Sequence, residues 1–222
     1  MNKIKEYLRF LRRIRIIKYF YLNYFCKEII RVDNSKIIPY KNAVINIEIG
    51  ARIYIANGDV EIGCNLLKGS REETRIRLRE NAVWGSNGGC KVSYGSTIEI
   101  LKGALLDSKY FTVNSNSILI AAKKISLGQD VMIARNVVIY DSDFHEIYYE
   151  GIKGNRSKDV IIGEHVWIGT NSMILKGVNL KKGCVVAANT IVTENVESEN
   201  LIGIKSEIKC INNRFNGRDK ML

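Results

Sequence analysis

From residue 113 onward the chain repeats with a period of six residues. Counting each hexad from an aliphatic residue, the first position is Leu, Ile or Val at nine places. These residues are Leu127, Ile133, Ile139, Ile162, Ile168, Ile174, Leu180, Val186 and Val192. The fifth position is apolar or small at Val113, Leu119, Ile125, Val131, Val137, Val166, Ser172, Val178, Cys184, Thr190 and Val196. Two phased series of this length rarely arise together by chance.

A six-residue period indicates one short strand followed by one turn. The aliphatic residue of each hexad points inward, and the small residue lets the chain bend at a corner. Three hexads then close one coil, and neighbouring coils satisfy each other's backbone hydrogen bonds. The pattern therefore predicts an all-β fold, a parallel β-helix of hexapeptide repeats.

The repeat is interrupted once. Ile139 and Ile162 lie 23 residues apart where six would continue the register. About 17 residues, from Asp143 to Asp159, are therefore expected to leave the coil as an extruded loop. Long loops on a rigid scaffold are commonly functional, and this one contains His145, one of only two histidines in the chain.

The first part of the chain has a different pattern. Between residues 3 and 31, apolar residues recur at spacings of three and four among Lys and Arg, which predicts a basic amphipathic helix. Such a helix could pack on the main domain or on a partner subunit. Alternatively, it could lie on an anionic membrane surface through Arg12, Arg13, Arg15 and Lys18, with Phe20 and its aromatic neighbours in the interface.

We accordingly predict three segments. Residues 1–35 form the basic helical segment, residues 36–205 the β-helix domain, and residues 206–222 a C-terminal tail. Residues 44–108 follow the period more loosely, so the early coils are expected to be irregular.

The composition restricts the partners and the compartment. The formal net charge of +11 favours anionic partners without choosing among them. Five cysteines without a Cys-x-x-Cys pair indicate reduced thiols. The basic N-terminal segment has neither the long apolar run of a membrane span nor the pattern of a signal peptide. We expect a cytoplasmic protein, with a peripheral position at the inner face of the membrane as a further expectation.

One stretch carries a more specific signal. The run VIIGEHVWIGTNSMILKGVNLKKGCVVAANTIVTENV, preceded by DSDFH, resembles the left-handed β-helix acyltransferases. Within them it is similar to the sugar and polysaccharide O-acetyltransferases related to galactoside, maltose and virginiamycin acetyltransferases. The resemblance covers roughly residues 110–205. It implies a homotrimer, acetyl-CoA in a groove between neighbouring β-helices, and an active-site histidine on an extruded loop.

His145 matches that histidine in position and context. The resemblance implies that its neutral imidazole acts as a general base on the acceptor hydroxyl. The second ring nitrogen of such a histidine must be held by a partner. Asp143 is the favoured partner, and Glu146 is the second candidate.

The resemblance also implies a cofactor groove. Trp167, Thr170, Ala188 and Thr193 match positions that line the pantetheine arm of the donor. Lys181, Lys182 and Lys205 are candidates for the phosphates of coenzyme A. The chain departs from the family pattern at GIKSEIK, where Gly-hydrophobic-Pro-Ala-Lys is usual, and at Asn189, where Gly is common.

Two further residues are expected to have no role in the chemistry. His165 falls at a turn, which predicts a surface or interface position. Cys184 falls on an inward position of the repeat, which predicts a core residue.

Several alternatives remain open from the sequence. The acceptor could be a hydroxyl of a capsular, O-antigen or other cell-envelope sugar, the amino group of a nucleotide-sugar, or an antibiotic hydroxyl. A non-catalytic scaffold is a further alternative. A γ-class carbonic anhydrase would need three histidines for each zinc, and the chain has two, so no metal is expected. Nucleic-acid binding would rest on the net charge alone.

Overall fold

Three parallel sheets enclose one continuous apolar core. The computed structural model describes residue 5 and residues 10–204, and the chain visits sheets A, B and C in turn. Strands are numbered in chain order. Sheet A contains β1 (Ile29–Arg31), β4 (Arg52–Ala56), β7 (Val83–Asn87), β10 (Leu105–Ser108), β13 (Lys124–Leu127), β18 (Val160–Ile162) and β21 (Asn179–Leu180).

The other two sheets have the same parallel pairing. Sheet B contains β2 (Ile37–Pro39), β5 (Val60–Cys64), β8 (Cys90–Ser93), β11 (Phe111–Val113), β14 (Val131–Ile133), β19 (Trp167–Ile168), β22 (Val185–Val186) and β24 (Leu201–Ile202). Sheet C contains β3 (Ala43–Ile47), β6 (Thr74–Leu78), β9 (Thr97–Ile100), β12 (Ile118–Ala121), β15 (Val138–Tyr140), β20 (Met173–Ile174) and β23 (Ile191–Val192). The result is a triangular prism, so the predicted parallel β-helix is confirmed.

The six-residue period sets the size of the late coils. Ile161 pairs with Asn179, eighteen residues later, and this offset equals three hexads. All first-position and fifth-position residues predicted to point inward are buried, none of them more than 6% exposed. Burying an aliphatic side chain of this size contributes roughly 1.5–3 kcal/mol. The repeat therefore supplies the core as well as the register.

The early coils depart from the strict period, as their looser sequence pattern predicts. Trp84 pairs with Leu106, twenty-two residues later, which exceeds three hexads by four residues. The Trp84 side chain is fully buried in this coil and donates its indole N–H to Ser108 Oγ at 3.2 Å.

The N-terminal segment departs from the predicted single helix between residues 3 and 31. A helix α1 (Ile16–Phe20) continues directly into a π-helical turn (Tyr21–Phe25). The helix is interrupted before α1, because Ile14 forms an antiparallel bridge with Tyr40 and Arg15 donates its N–H to the Pro39 carbonyl at 2.8 Å. The chain after Phe25 is also not helical, since Ile29–Arg31 pairs with β4.

The first strand therefore begins at Ile29, ahead of the predicted domain boundary at residue 36. The reason is the hydrogen bonding that β4 offers to residues 29–31, which the helical spacing of the sequence does not reveal. The predicted C-terminal tail, residues 206–222, lies outside the described residues.

The helical segment packs on the first coil. Leu22 is buried in the core. Asn23 is also buried, and its side-chain amide donates to the Ile37 carbonyl at 2.7 Å while its oxygen accepts the Ile37 N–H at 2.9 Å. Packing on the main domain, one of the two alternatives left open by the sequence, is thus observed.

Candidate active site

The chain leaves the prism between β15 and β18, where the interrupted repeat predicts an extruded loop. The two stems of the loop run antiparallel, with a bridge between Ser142 and Ser157. Farther out, β16 (Tyr148–Tyr149) and β17 (Ile152–Lys153) pair as a short antiparallel hairpin. The predicted loop is confirmed, and the hairpin within it is an addition that the sequence pattern did not reveal.

Asp141 fixes the point where the loop departs. Its side chain is fully buried, and its carboxylate accepts the backbone N–H groups of Ala122, Lys123 and Lys124 at 2.6, 2.8 and 2.7 Å. Burial raises the pKa of Asp141 above its ordinary value, and the three N–H donors oppose that rise. Sequence analysis missed this residue, although a polar DSD run directly after a buried strand is a visible signal.

His145 lies on the outer part of this loop. Its side chain is exposed, and within residues 10–204 it makes no hydrogen bond. Just before it, Phe144 adopts φ 61°, a left-handed conformation that is uncommon for a bulky residue. The turn is held by the Phe144 N–H, which donates to Ser142 Oγ at 3.0 Å, and by edge-to-face contact with the Tyr140 ring. The loop therefore presents the imidazole to solvent.

Neither carboxylate considered as its partner contacts His145 in one copy of the chain. Asp143 forms an ion pair with Lys176, whose ammonium group also donates to the Asn155 carbonyl at 2.6 Å. Glu146 accepts hydrogen bonds from Tyr148 Oη and Lys153 Nζ, and these donors lower the pKa of Glu146. Both carboxylates anchor the loop, and their action on His145 stays a prediction.

Trp167 lies on the outer face of sheet B, on the third strand from its C-terminal end. It is 50% exposed, and its neighbours in register are Met132 on one side and Val185 then Leu201 on the other. Met132 and Leu201 are also exposed. Together these four residues form an apolar strip across adjacent coils, which suits an extended aliphatic group.

Thr170 and Ala188 lie at one edge of this face. Both are in turns between sheets B and C, and the Asn189 N–H donates to the Thr170 carbonyl at 2.9 Å. The coils approach closely here, because a Cβ on Gly169 would lie 2.7 Å from the Ala188 nitrogen. Asn189 has φ 58°, a conformation that Asn tolerates better than most residues, which explains how it can stand where Gly is common.

Lys181 and Lys182 lie at the opposite edge of the same face, in the turn between sheets A and B. Lys181 forms an ion pair with Glu197 at 2.5 Å. Thr193 differs from the other candidates, because it follows β23 and lies at the corner between sheets C and A, where the extruded loop departs. Lys205 lies outside the described residues.

The two residues predicted to stand apart from the chemistry are placed as expected. His165 is exposed in a turn, with Nδ1 3.0 Å from the Asp130 carboxylate. Cys184 is fully buried in the core.

The triangular section separates the candidate base from the candidate donor groove. The loop that carries His145 leaves at the corner between sheets C and A, which is opposite the face formed by sheet B. Trp167, Thr170, Ala188 and Lys181 belong to that face or its edges. One copy of the chain therefore does not bring His145 to these residues.

In the part of the chain that the structure describes, no three His, Cys, Asp or Glu residues are grouped as metal ligands would be. Among the same residues, no helix has the length and apolarity needed to cross a bilayer.

Comparison with known proteins agrees with this geometry. The hexapeptide repeat of succinyl-transferase matches residues 159–194. The chain is 26% identical to the polysialic acid O-acetyltransferase OatWY, whose crystal structure aligns over 86% of this chain and 93% of that chain with a TM-score of 0.53. The chain thus has the left-handed parallel β-helix fold of such an acetyltransferase, and residues 159–194 match the hexapeptide repeat.

Curated relatives narrow the similarity further. A polysialic acid O-acetyltransferase of Neisseria meningitidis is 49% identical over 69 residues, which cover 30% of this chain and 32% of the relative. The galactoside O-acetyltransferase of Escherichia coli K12 is 30% identical over 130 residues, 58% of this chain and 59% of the relative. The chain thus spans less than two thirds of each of these relatives. The expected resemblance to sugar and polysaccharide O-acetyltransferases is confirmed.

Proposed function

We propose that the chain transfers an acetyl group from acetyl-CoA to a hydroxyl of a cell-envelope or capsular polysaccharide or of its precursor. The observation that carries the proposal is the extruded loop, which presents an imidazole without a hydrogen-bond partner among residues 10–204 on a hexapeptide-repeat prism. Similarity to polysialic acid and galactoside O-acetyltransferases supports a sugar acceptor. It favours O-acetylation of a sugar over transfer to the amino group of a nucleotide-sugar or to an antibiotic hydroxyl.

In the proposed reaction His145 moves one proton. The neutral imidazole removes the proton from the acceptor hydroxyl as its oxygen attacks the thioester carbonyl carbon. The carbon–sulfur bond then breaks, and the imidazolium returns the proton to the departing thiolate. The new bond is an ester, and free coenzyme A leaves. A base placed in this way contributes about 10²–10⁴-fold to the rate.

The two histidines provide a matched test. His145→Ala should lower kcat by at least about a hundredfold with acetyl-CoA and polysialic acid as substrates. His165→Ala removes the other imidazole from an exposed turn and should retain near-normal turnover. Release of the free thiol and acetylation of the polymer are measured together. Near-normal turnover of His145→Ala would exclude the proposed base.

We further propose that the active site forms between copies of a homotrimer. The separation of the His145 loop from the sheet B face supports this arrangement, because a neighbouring copy could place its loop against the Trp167 strip. The strip would hold the pantetheine arm of the donor, and Lys181 and Lys182 at its edge suit the phosphates.

The N-terminal segment supports a proposed peripheral position at the inner, cytoplasmic face of the membrane. Ile17, Phe25 and Val32 of this segment are exposed by 88%, 71% and 77%, and Arg13 is an exposed cation of the same segment. An exposed apolar and aromatic surface among cations suits an anionic bilayer.

Vesicle sedimentation tests this position. The protein should sediment with phosphatidylglycerol vesicles more than with phosphatidylcholine vesicles. Replacing Ile17 and Phe25 with Ser should reduce that binding by about tenfold, because two apolar side chains that insert partly into the bilayer interface are lost. Replacing Ile152 and Ile191, which are exposed by 72% and 59% outside this segment, with Ser is the control. Equal binding by both double variants would contradict the proposal.

A further inference from the structure

A cation-lined cavity of about 700 Å³ lies at the N-terminal end of the prism, at the corner between sheets B and C. One wall is the segment before α1 that contains Arg12 and Arg13, which we call the arm. The other wall is the loop between β5 and β6. Among the described residues, its lining includes five basic side chains, Arg12, Arg13, Lys41, Lys68 and Lys91, and a single acidic one, Glu61. Such an imbalance creates a local positive potential.

The arm that forms one wall is fixed by backbone contacts. The Lys41 N–H donates to the Arg13 carbonyl at 2.9 Å, and Ile14 pairs with Tyr40. These bonds hold the arm against the turn between β2 and β3. Because the main chain makes the contacts, the side chains of Arg12 and Arg13 remain available to a ligand.

Most of the cations in this cavity have no acidic partner in the described part of the chain. Glu61 is engaged by Lys91 at 3.5 Å and by the Tyr40 hydroxyl at 2.7 Å. Over residues 10–204, no ion pair or side-chain hydrogen bond involves the charged ends of the other four cations, Arg12, Arg13, Lys41 and Lys68.

The paired arginines of sheet C provide a contrast. On the outer face of that sheet, Arg77 is paired with Glu48 and Glu99, and Arg79 with the same two carboxylates. Sheet C thus carries paired cations beside the cavity, whereas four cations of the cavity itself have no ion pair within residues 10–204.

A second cavity of about 370 Å³ continues the first. The two share Lys41 and Asn42 in their linings, and the second adds Arg15, Arg71 and the acidic Glu73, which pairs with Arg75. Positive charge thus extends along a groove instead of surrounding one point. A ligand with several anionic groups in sequence fits this arrangement better than a single phosphate does.

We propose that this groove binds a carboxylate-bearing sugar polymer at a position separate from the reaction centre. The cavity lies at the B–C edge of sheet C near β6, and the His145 loop leaves the opposite edge after β15. Three strand spacings separate β6 from β15, which is roughly 15 Å at about 4.8 Å each. A polymer chain could occupy both places at once, whereas a single sugar could not.

The biological use of this groove rests on the proposed function, but binding can be tested without any catalysis. Isothermal titration of the full chain with polysialic acid, in the absence of acetyl-CoA, measures the affinity. Exposed charge contacts each contribute at most about fivefold, so replacing Arg13 and Lys68 with Gln should weaken binding by about tenfold.

The matched control replaces Lys102 and Lys109 with Gln. These lysines are exposed, pair with Glu80 and Glu164, and lie away from the cavity, so the variant loses the same net charge. We expect the affinity of this control variant for polysialic acid to stay within about twofold of wild type. Neutral dextran and monomeric sialic acid should not bind measurably to the wild-type protein or to the control variant. An equal loss of affinity in both variants, or no binding of polysialic acid by the wild-type protein, would contradict the proposed polymer groove.

A transfer assay separates this inference from the proposed activity. The variant with Arg13 and Lys68 replaced by Gln should have a higher KM for the polymer than wild type and the same kcat. If the wild-type protein binds the polymer but does not transfer acetyl groups to it, the proposed activity is contradicted and the proposed groove is still supported. If the variant transfers acetyl groups with an unchanged KM for the polymer, the proposed groove is contradicted and the proposed activity is still supported.

Discussion

Asp141 links the core of the prism to the loop that carries the candidate base. Its carboxylate replaces the missing hydrogen-bond partners of three consecutive backbone N–H groups in the preceding coil. Charge-assisted bonds of this kind are about twice as strong as neutral ones. The residue therefore stabilises the turn at residues 122–124 and fixes the direction in which the loop departs.

Asp141→Asn tests that role. The amide would present its own N–H₂ donors to backbone donors, so at least one buried N–H would lose its acceptor. We expect the free energy of unfolding to fall by about 2–3 kcal/mol. Urea denaturation followed by circular dichroism measures the change, with Asp159→Asn, a loop-stem carboxylate paired with Lys123, as the control. Equal stability of wild type and Asp141→Asn would contradict the assignment.

Residue types at the repeat positions could be predicted because burial alone decides them. Cys184 and Thr190 are small residues at inward corners, and both are buried as the period requires. The partners of Asp143 and Glu146 could not be predicted in this way. Each carboxylate has several cations within reach along the chain, and only the folded loop selects Lys176 for Asp143 and Lys153 for Glu146.

At the scale of elements, the extruded loop is attached to the prism at more than one place. Its stems pair with each other, and Lys176, which follows β20 in the next coil, reaches both Asp143 and the carbonyl of Asn155. Lys176 thus joins the two strands of the stem through a side chain that belongs to the rigid prism. We assign it as a positioning residue for His145.

Lys176→Gln should release the loop without unfolding the prism. We expect kcat for acetyl transfer to fall by about tenfold, while the unfolding free energy changes by less than about 1 kcal/mol, as for a partly exposed ion pair. Hydrogen exchange should increase within residues 142–157 only. Lys176→Arg, which keeps the charge, should recover most of the activity. Unchanged exchange in the loop would refute the positioning role.

The elements themselves were predictable to different degrees. The late strands follow from the strict hexad series, and the loop follows from its interruption. The prediction of a single helix between residues 3 and 31 was wrong. The apolar residues do have helical spacing, but the turn at Pro39–Lys41 and strand β4 offer competing hydrogen bonds. Tertiary pairing of this kind overrides local periodicity, and one segment of sequence does not contain it.

For the whole molecule, the triangular section has a direct consequence for activity. The corner that carries His145 and the face that carries Trp167 point in different directions, so each copy is expected to supply half of a site. An enzyme built in this way depends on assembly, and activity should decline when the protein is diluted below its association range.

Mixed assemblies test this directly. His145→Ala and Ala188→Trp, the second of which blocks the candidate donor groove, should each be inactive alone. Co-expressed in equal amounts they should recover about a quarter of wild-type activity, because half of the loops and half of the grooves are intact and they combine at random. Recovery near zero in properly assembled mixtures would show that loop and groove act within one copy.

Asn23 has a consequence for the ends of the prism. A parallel β-helix finishes in open strands, and an open strand can template the addition of another chain. At Ile37, the Asn23 amide takes the place that a further strand would occupy, accepting the N–H and donating to the carbonyl as a peptide group would. One side chain thereby mimics the next coil and opposes end-to-end growth of the prism into a fibre.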